Sequence, residues 1–317
     1  MRKIIVCGTI AYDNILQFPG LFSEQILIDK IDQLSVSFVS NTITKSKGGT
    51  APNIAYNLSL IGEHAVIIGS AGRDFDAYRK WLDDNNIDTS KINIKNDYYT
   101  ALCFVVTDSN NNQISGFYPG AMSKDPEISL NNIDMRDVQL VVISPSDPTA
   151  MVKWAIECQK MNVPYLFDPG MLIPRFSKED LIKGVMGAKI LVSNEYEHSL
   201  MLEKTNMTRE DILNNVELIV ETLGEKGSNL ITKDGKVHIS AARPVEVLDP
   251  TGAGDAYKAG LIKGYLENLS LETIGRMASI SAVYALEHIG TTEHKYSYQE
   301  YLKRYCQNYG EINFSFE

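Results

Sequence analysis

The sequence predicts an α/β protein: a three-layer sandwich whose mostly parallel central sheet has helices on both faces, with a second, smaller β-sheet attached. Three observations predict it. Runs such as Ile4-Ile5-Val6-Cys7 and Leu140-Val141-Val142-Ile143 have the unbroken hydrophobicity of strands buried on both faces. Beyond Asp125-Pro126 such runs alternate with segments of helical periodicity, the pattern of parallel βαβ units. The stretches 15–47 and 100–118 instead alternate apolar and polar residues, as half-buried strands of a separate sheet do.

Met1-Arg2-Lys3 ahead of an apolar run could open a signal peptide, but the run breaks within a few residues and Asp13 follows, so 3–8 reads as a first strand. Asp13 then falls just beyond the C-terminal end of that strand, where ligands bind in open α/β sheets. The Gly-x-Gly-x-x-Gly turn of a dinucleotide site is missing here, which argues against an NAD-dependent enzyme. Ile26, Ile28 and Ile31 alternate, then Leu34, Val36 and Phe38, without helical spacing; both sets predict strands of the small sheet.

In Lys47-Gly48-Gly49-Thr50-Ala51-Pro52-Asn53 the two glycines let a ligand approach the backbone, and Pro52 and Gly62 bracket a helix of about ten residues. Asn53, on its first turn, suits a capping role and equally a donor–acceptor role toward a pair of hydroxyls. A core strand is predicted over 65–70 and an amphipathic helix over 74–85, carrying Phe75, Tyr78, Trp81 and Leu82. Strands over 100–107 and 113–118, joined by Asp108-Ser109-Asn110-Asn111-Asn112, form a hairpin that completes the small sheet.

Downstream, strands are predicted at 140–143, 164–167, 190–192 and 218–222, with helices over 149–159, 178–186 and 194–202. Each strand end carries a polar cluster: Ser144-Pro145-Ser146, Asp168-Pro169-Gly170, Ser193 to Glu197, and Thr222 to Gly227. All can line one edge of the sheet. Antiparallel strands at 228–231, 237–239 and 245–247 lead into helices over 253–267, 271–288 and 298–305, with a surface-bound or frayed tail after Gly310. The division this implies is a large domain of 1–14, 48–97 and 124–317, and a small β lid of 15–47 and 98–123.

With 44% hydrophobic residues, the 317-residue chain can bury a sizeable core. Its 30 Lys and Arg against 40 Asp and Glu give a net charge of −10, and no basic block interrupts it. Nucleic acid and anionic membranes are therefore excluded in favour of a small-molecule partner, whose phosphates, if any, must be met by amides, a metal ion or a few basic side chains. Cys7, Cys103, Cys158 and Cys306 and the five His are scattered without metal-ligand spacing. No window reaches the ~20 apolar residues of a membrane span, so the expected location is the cytoplasm.

The most informative stretch is Asp249-Pro250-Thr251-Gly252-Ala253-Gly254-Asp255. Pro250 keeps the backbone extended, the glycines turn it, and Ala256, Ala259, Gly260, Ile262 and Gly264 continue at helical spacing. The first amides of that helix lack internal partners, and Gly252 and Gly254 have no Cβ to keep an oxyanion away. Asp255 sits in the first turn, where the positive helix end favours an ionised carboxylate. Amides that hold a phosphoryl group beside a carboxylate that takes a hydroxyl proton suit phosphoryl transfer. A capping carboxylate beside an ordinary turn would carry the same residue types.

The Asp249–Asp255 run resembles the C-terminal signature of the ribokinase-like sugar and nucleoside kinases, the PfkB family, and Gly48-Gly49, Asn53, Gly62 and Gly72 resemble its N-terminal signature. The resemblance covers nearly the whole chain and implies the ribokinase-like form of the three-layer fold. It implies Asp255 as catalytic base, with the amides of Gly252, Ala253 and Gly254 as the anion hole. Asp13, Gly48, Gly49 and Asn53 are implied as holders of the acceptor's hydroxyls, and Thr222, Gly224 and Gly227 as the turn over ATP. Asn194 and Glu197 match the Asn-x-x-Glu motif that helps hold Mg²⁺, largely through water; the same spacing also describes an N-cap and its capping-box glutamate. Asp249 and Thr251 match the loop where many members, though not all, bind a monovalent cation such as K⁺.

Within the family, Ala11-Tyr12-Asp13, Phe18-Pro19-Gly20, Val36-Ser37-Phe38, Tyr118-Pro119-Gly120 and Gly254-Asp255-Ala256-Tyr257 are most similar to bacterial adenosine kinases. A nucleoside needs an apolar wall for its base, which Phe38 and Phe117 can supply, although lid aromatics also pack lid cores. The expected activity is ATP-dependent phosphorylation of a nucleoside 5′-hydroxyl, adenosine first. A sugar or sugar-phosphate kinase on the same scaffold is the first alternative, and a silent nucleoside-binding protein the second, which intact Asp255, Gly252 and Gly254 argue against. The expected assembly is a monomer or a homodimer through the lid.

Overall fold

Both faces of β1 (Lys3–Cys7) are buried: Ile4 and Val6 enter one apolar core, Ile5 and Cys7 another. The computed structural model describes residues 3–26, 32, 35–110 and 112–310. The further strands are β2 (Ala11–Gln17), β3 (Thr42–Gly48), β4 (Ala65–Ile68), β5 (Ser70–Gly72), β6 (Asn93–Lys95), β7 (Ala101–Thr107), β8 (Gln113–Tyr118), β9 (Val138–Ile143), β10 (Tyr165–Phe167), β11 (Ile190–Asn194), β12 (Leu218–Thr222), β13 (Ser228–Thr232) and β14 (Gly235–Ile239). The helices are α1 (Phe22–Gln25), α2 (Thr50–Leu60), α3 (Asp76–Asp84), α4 (Pro148–Met161), α5 (Lys178–Val185), α6 (Glu195–Thr205), α7 (Arg209–Leu213), α8 (Ala253–Leu266), α9 (Leu271–Leu286) and α10 (Tyr298–Tyr309).

The main sheet runs β14-β13-β12-β11-β10-β9-β1-β4, and its strands are parallel except for the antiparallel β13 and β14. One face packs on α2, α3, α8, α9 and α10, the other on α4 to α7, which is the three-layer α/β architecture. Because the central strands are parallel, Thr9, Ser144, Asp168, Asn194 and Thr222 all come to the same edge of the sheet.

Local chemistry explains the helix bounds. Asp147 caps α4 by accepting from the Thr149 amide, Pro148 opens it, and Asn162 ends it in the left-handed region. The small residues of α8 have a packing reason: a Cβ on Gly260 would come within 2.6 Å of the Met277 carbonyl of α9, so the two helices touch nearly backbone to backbone. Among the described residues, no helix is long and apolar enough to cross a membrane.

The second sheet has the order β3-β2-β7-β8, with β2 and β7 parallel and the outer pairs antiparallel. Here the structure corrects two expectations. Asp13 lies within β2, which spans the 14/15 boundary, instead of just past the end of β1. The alternation around Ile26 and Val36 to Phe38 does not form strands, and Ile28, Ile31 and Leu34 lie outside the described residues. Phe38 packs instead against Phe18 and Phe22, with ring centroids 5.1 and 5.0 Å away, so the alternation serves an aromatic cluster. The strand that pairs with β2 is β3, which runs across the 47/48 boundary.

The expected strand at 245–247 is also missing. Val245 is 91% exposed, and the backbone bonds go elsewhere: the Val245 amide donates to Glu287 Oε1 and the Leu248 amide to the Leu286 carbonyl. The short parallel pair β5–β6 is too brief to stand out in the sequence.

Candidate active site

Two glycine-led helix N-termini meet above the common edge of the main sheet. Gly49, at φ 93°, is the N-cap of α2, and Gly252, at φ 82°, the N-cap of α8. Among the described residues, neither end has a side-chain cap. Positive φ explains glycine at both positions. Gly49 is further fixed by crowding, since a Cβ would fall 2.4 Å from the Thr9 carbonyl. A Cβ on Gly254 would meet no described atom within 4 Å, so the space beside its backbone is open. Ala253 N–H donates to the Pro250 carbonyl at 3.3 Å; those of Gly252 and Gly254 have no backbone acceptor among the described residues. An anion placed here meets the Gly252 and Gly254 donors first.

Asp255 stands between these two helix ends. It is 9% exposed; its Oδ2 accepts from Asn53 Nδ2 at 2.9 Å and its Oδ1 lies 3.0 Å from Lys258 Nζ. Burial pushes its carboxyl above the ordinary range, and this outweighs the lowering by Lys258 and Asn53. Helix-end electrostatics alone predict a fully ionised group; desolvation moves it toward the pKa that a general base needs. Asn53 Oδ1 is buried with no partner among the described residues, an acceptor that a ligand hydroxyl can satisfy.

Asp13 reaches the same site from β2. Ladder register puts Asp13 opposite Cys103 of β7, and Cys103 opposite Phe117 of β8, so the three share one face of the small sheet. Phe117 is 50% exposed, whereas Phe38 packs against Phe18 and Phe22. Gly48 lies directly against Asp13: a Cβ there would fall 2.1 Å from Asp13 Oδ2. Burial, then the charges of Asp249 and Asp255, push the Asp13 carboxyl up to about 6.

At the far side of the edge, Asn194 and Thr222 are register partners at the ends of β11 and β12. Asn194 and Glu197 form a reciprocal capping box at the start of α6, Asn194 Oδ1 accepting from the Glu197 amide and Glu197 Oε2 from the Asn194 amide. Burial raises the Glu197 carboxyl. Gly224 and Gly227 adopt φ of 60° and 93° in the turn after Thr222, and a Cβ on Gly224 would meet nothing within 4 Å. Asp249 Oδ1 accepts from the Thr251 amide of its own loop and Oδ2 from the Gly290 amide beyond α9. Among the described residues, no three His, Cys, Asp or Glu side chains converge as a metal cage.

Two side chains missing from the sequence-based site stand at its centre. Lys258, 6% exposed, is paired with Asp255 and with Asp168, itself 5% exposed, at the end of β10. Spacing already placed Lys258 one turn along from Asp255. Asp168 was visible only as one of several polar strand ends.

The pfkB family carbohydrate kinase pattern matches residues 12–296 of the chain. The nucleoside kinase of Methanocaldococcus jannaschii is 30% identical over 292 residues, 92% of either chain. Its crystal structure, described as an archaeal member of the ribokinase family, superposes with a TM-score of 0.89 at 28% identity, covering 97% of this chain and 99% of the other. The Burkholderia thailandensis nucleoside kinase bound to inosine gives a TM-score of 0.87 at 32% identity, with 97% and 98% covered. The same enzyme has also been solved with ADP-inosine.

Proposed function

The chain belongs to the pfkB family of carbohydrate kinases, phosphotransferases that act on a hydroxyl group, and we propose that it transfers the γ-phosphoryl group of ATP to the 5′-hydroxyl of a nucleoside, adenosine first. Its fold is ribokinase-like. The observation that carries the proposal is the buried Asp255 carboxylate, bonded to Asn53 at the open, glycine-led start of α8. Nucleosides are favoured over simple sugars by the Methanocaldococcus and Burkholderia relatives, which are nucleoside kinases, and by the half-exposed Phe117 in line with Asp13.

In this reading Asp13 and Asn53 Oδ1 accept the ribose hydroxyls, with Gly48 and Gly49 keeping the backbone clear. The base stacks on Phe117, and the four-stranded sheet closes over it as a lid. Phe38 supports that lid through its aromatic cluster. Asp255 takes the 5′-hydroxyl proton, the freed oxygen pair bonds to the γ-phosphorus, and the bond to the ADP oxygen breaks with its electron pair leaving on ADP. Gly252 and Gly254 amides, with Ala253 in the same turn, hold the phosphoryl oxygens.

The turn of Thr222, Gly224 and Gly227 is assigned to the nucleotide, because it lies at the same edge and leaves backbone open at Gly224. Mg²⁺ carried by ATP would neutralise phosphate charge. Glu197 has Oε1 outside its capping box and can meet the ion through water, beside Asn194. The Asp249–Thr251 loop, tied to Gly290, is the place assigned to a monovalent cation such as K⁺.

The test is ADP formation by the purified protein with MgATP and adenosine, inosine, guanosine, cytidine, ribose, fructose or fructose phosphates. Selective turnover of nucleosides, with adenosine first, supports the proposal. Turnover of sugars alone removes the nucleoside assignment, and turnover led by another base removes adenosine.

A further inference from the structure

Three buried charges stand in a row at the catalytic edge: Asp168, Lys258 and Asp255, at 5%, 6% and 9% exposure. One carboxylate would be enough to compensate a buried ammonium. Lys258 has two, and they come from different elements, Asp168 from the end of β10 and Asp255 from the first turn of α8. Side chains on a helix lean toward its N-terminus, so a lysine one turn in reaches back to the entrance. Asp255 is consequently held at both oxygens, by Lys258 Nζ at 3.0 Å and by Asn53 Nδ2 at 2.9 Å, which fixes the plane of the carboxylate.

We infer that Lys258 is a positioning residue for the phosphoryl transfer, with Asp168 as the counter-ion that keeps its ammonium against Asp255. The inference rests on the reading of Asp255 as base. The groups facing this row are Asn53 on α2, Asp13 on β2, which feels the charges of Asp249 and Asp255, and Glu197 on α6, which feels both Asp168 and Lys258. Within this acidic surrounding Lys258 is the positive charge that lowers Asp255, and Asp168 is a negative charge that raises it. The two therefore have opposite electrostatic effects on the base while being bound to each other.

The opposition gives a test that a purely structural ion pair fails. The pH dependence of kcat, at saturating ATP and acceptor, is measured for the wild type and for D255N, K258M, K258R and D168N. Lys258→Met should lower kcat at neutral pH roughly tenfold or more and move the acid limb up by about one pH unit, with KM for both substrates little changed. Asp168→Asn should move the limb the other way, and Lys258→Arg should keep it near its original place. An unmoved limb in both K258M and D168N overturns the inference, even if turnover falls. If K258M does not fold, the direction of the D168N shift decides. Full turnover by D255N would instead sink the base reading itself, which separates the two failures.

Discussion

Asn53 and Asp255 are separated by 202 positions in the chain, yet Asn53 Nδ2 donates to Asp255 Oδ2 at 2.9 Å. That bond links the first turns of α2 and α8. In the kinase reading it makes the residue that holds the acceptor and the residue that deprotonates it a single unit, so the hydroxyl is delivered to its base by the contact that positions the base.

Asp255→Asn keeps the shape of the side chain and removes the base. Lys258 retains Asp168 as partner, so the fold should hold and the melting temperature should stay near that of the wild type. Turnover should fall by about 10²–10⁴, the range of general-base contributions. Steady-state ATP consumption and a thermal melt on the same preparation check both halves; near-normal turnover removes Asp255 from the role.

The two glycines of the α8 entrance should respond in opposite ways. A methyl at Gly254 meets nothing within 4 Å, so Gly254→Ala should fold normally while blocking the approach of phosphate, with kcat/KM for ATP falling roughly tenfold or more. Gly252 sits at φ 82° with Thr291 Cβ 2.9 Å from the added atom, and Gly252→Ala should cost about 1–2 kcal/mol of stability from the backbone alone. Denaturant melts beside kinetics separate a binding defect from a folding defect.

Asp13 should show in KM. Its carboxyl is pushed up to about 6, so it is ionised at neutral pH and gains a proton as the pH falls through that value, losing capacity to accept hydroxyl bonds. KM for the acceptor should rise below about pH 6, whereas the acid limb of kcat belongs to Asp255. For stability the sign is set by a folded value above the unfolded one: the contribution is full at low pH and lost as pH rises through about 6. Asp13→Asn should then be more stable than the wild type at pH 8 and much poorer in acceptor binding. A variant less stable at pH 8 would contradict this.

How much of this was legible in the sequence depended on how local the cause was. The strands at 3–8, 140–143 and 218–222 could be read because burial on both faces leaves uninterrupted apolar runs, and α8 because its small residues repeat at helical spacing. Around Phe38 the same alternation that marks a strand marks instead a side chain packed on Phe18 and Phe22, and periodicity cannot separate the two. At 245–247 the apolar alternation forms no strand: among the described residues there is no ladder partner, and the Val245 amide goes to the Glu287 side chain. Helical spacing puts Lys258 one turn from Asp255, but its pairing with Asp168 spans 90 positions, and no local signal carries that distance.

The last prediction concerns Asp125, a carboxylic acid that the proposed chemistry leaves aside. It is fully buried in the turn that follows β8, with Ser146 Oγ donating to its Oδ2 at 2.5 Å. Burial pushes its carboxyl up to about 7, against the lowering by its serine neighbours. Its folded value thus lies above the unfolded one, so its stabilising contribution is complete below about pH 4 and is lost as the pH rises through about 7. Ionisation at higher pH places a charge in the core with no cation to pair it among the described residues that contact it. The wild type should lose stability between pH 5 and 8 by up to a few kcal/mol from this group, and Asp125→Asn, which keeps an oxygen for Ser146 but cannot ionise, should flatten that slope. Urea melts across the range decide it: an Asp125→Asn protein whose stability falls with pH as steeply as the wild type would show that Asp125 does not titrate there.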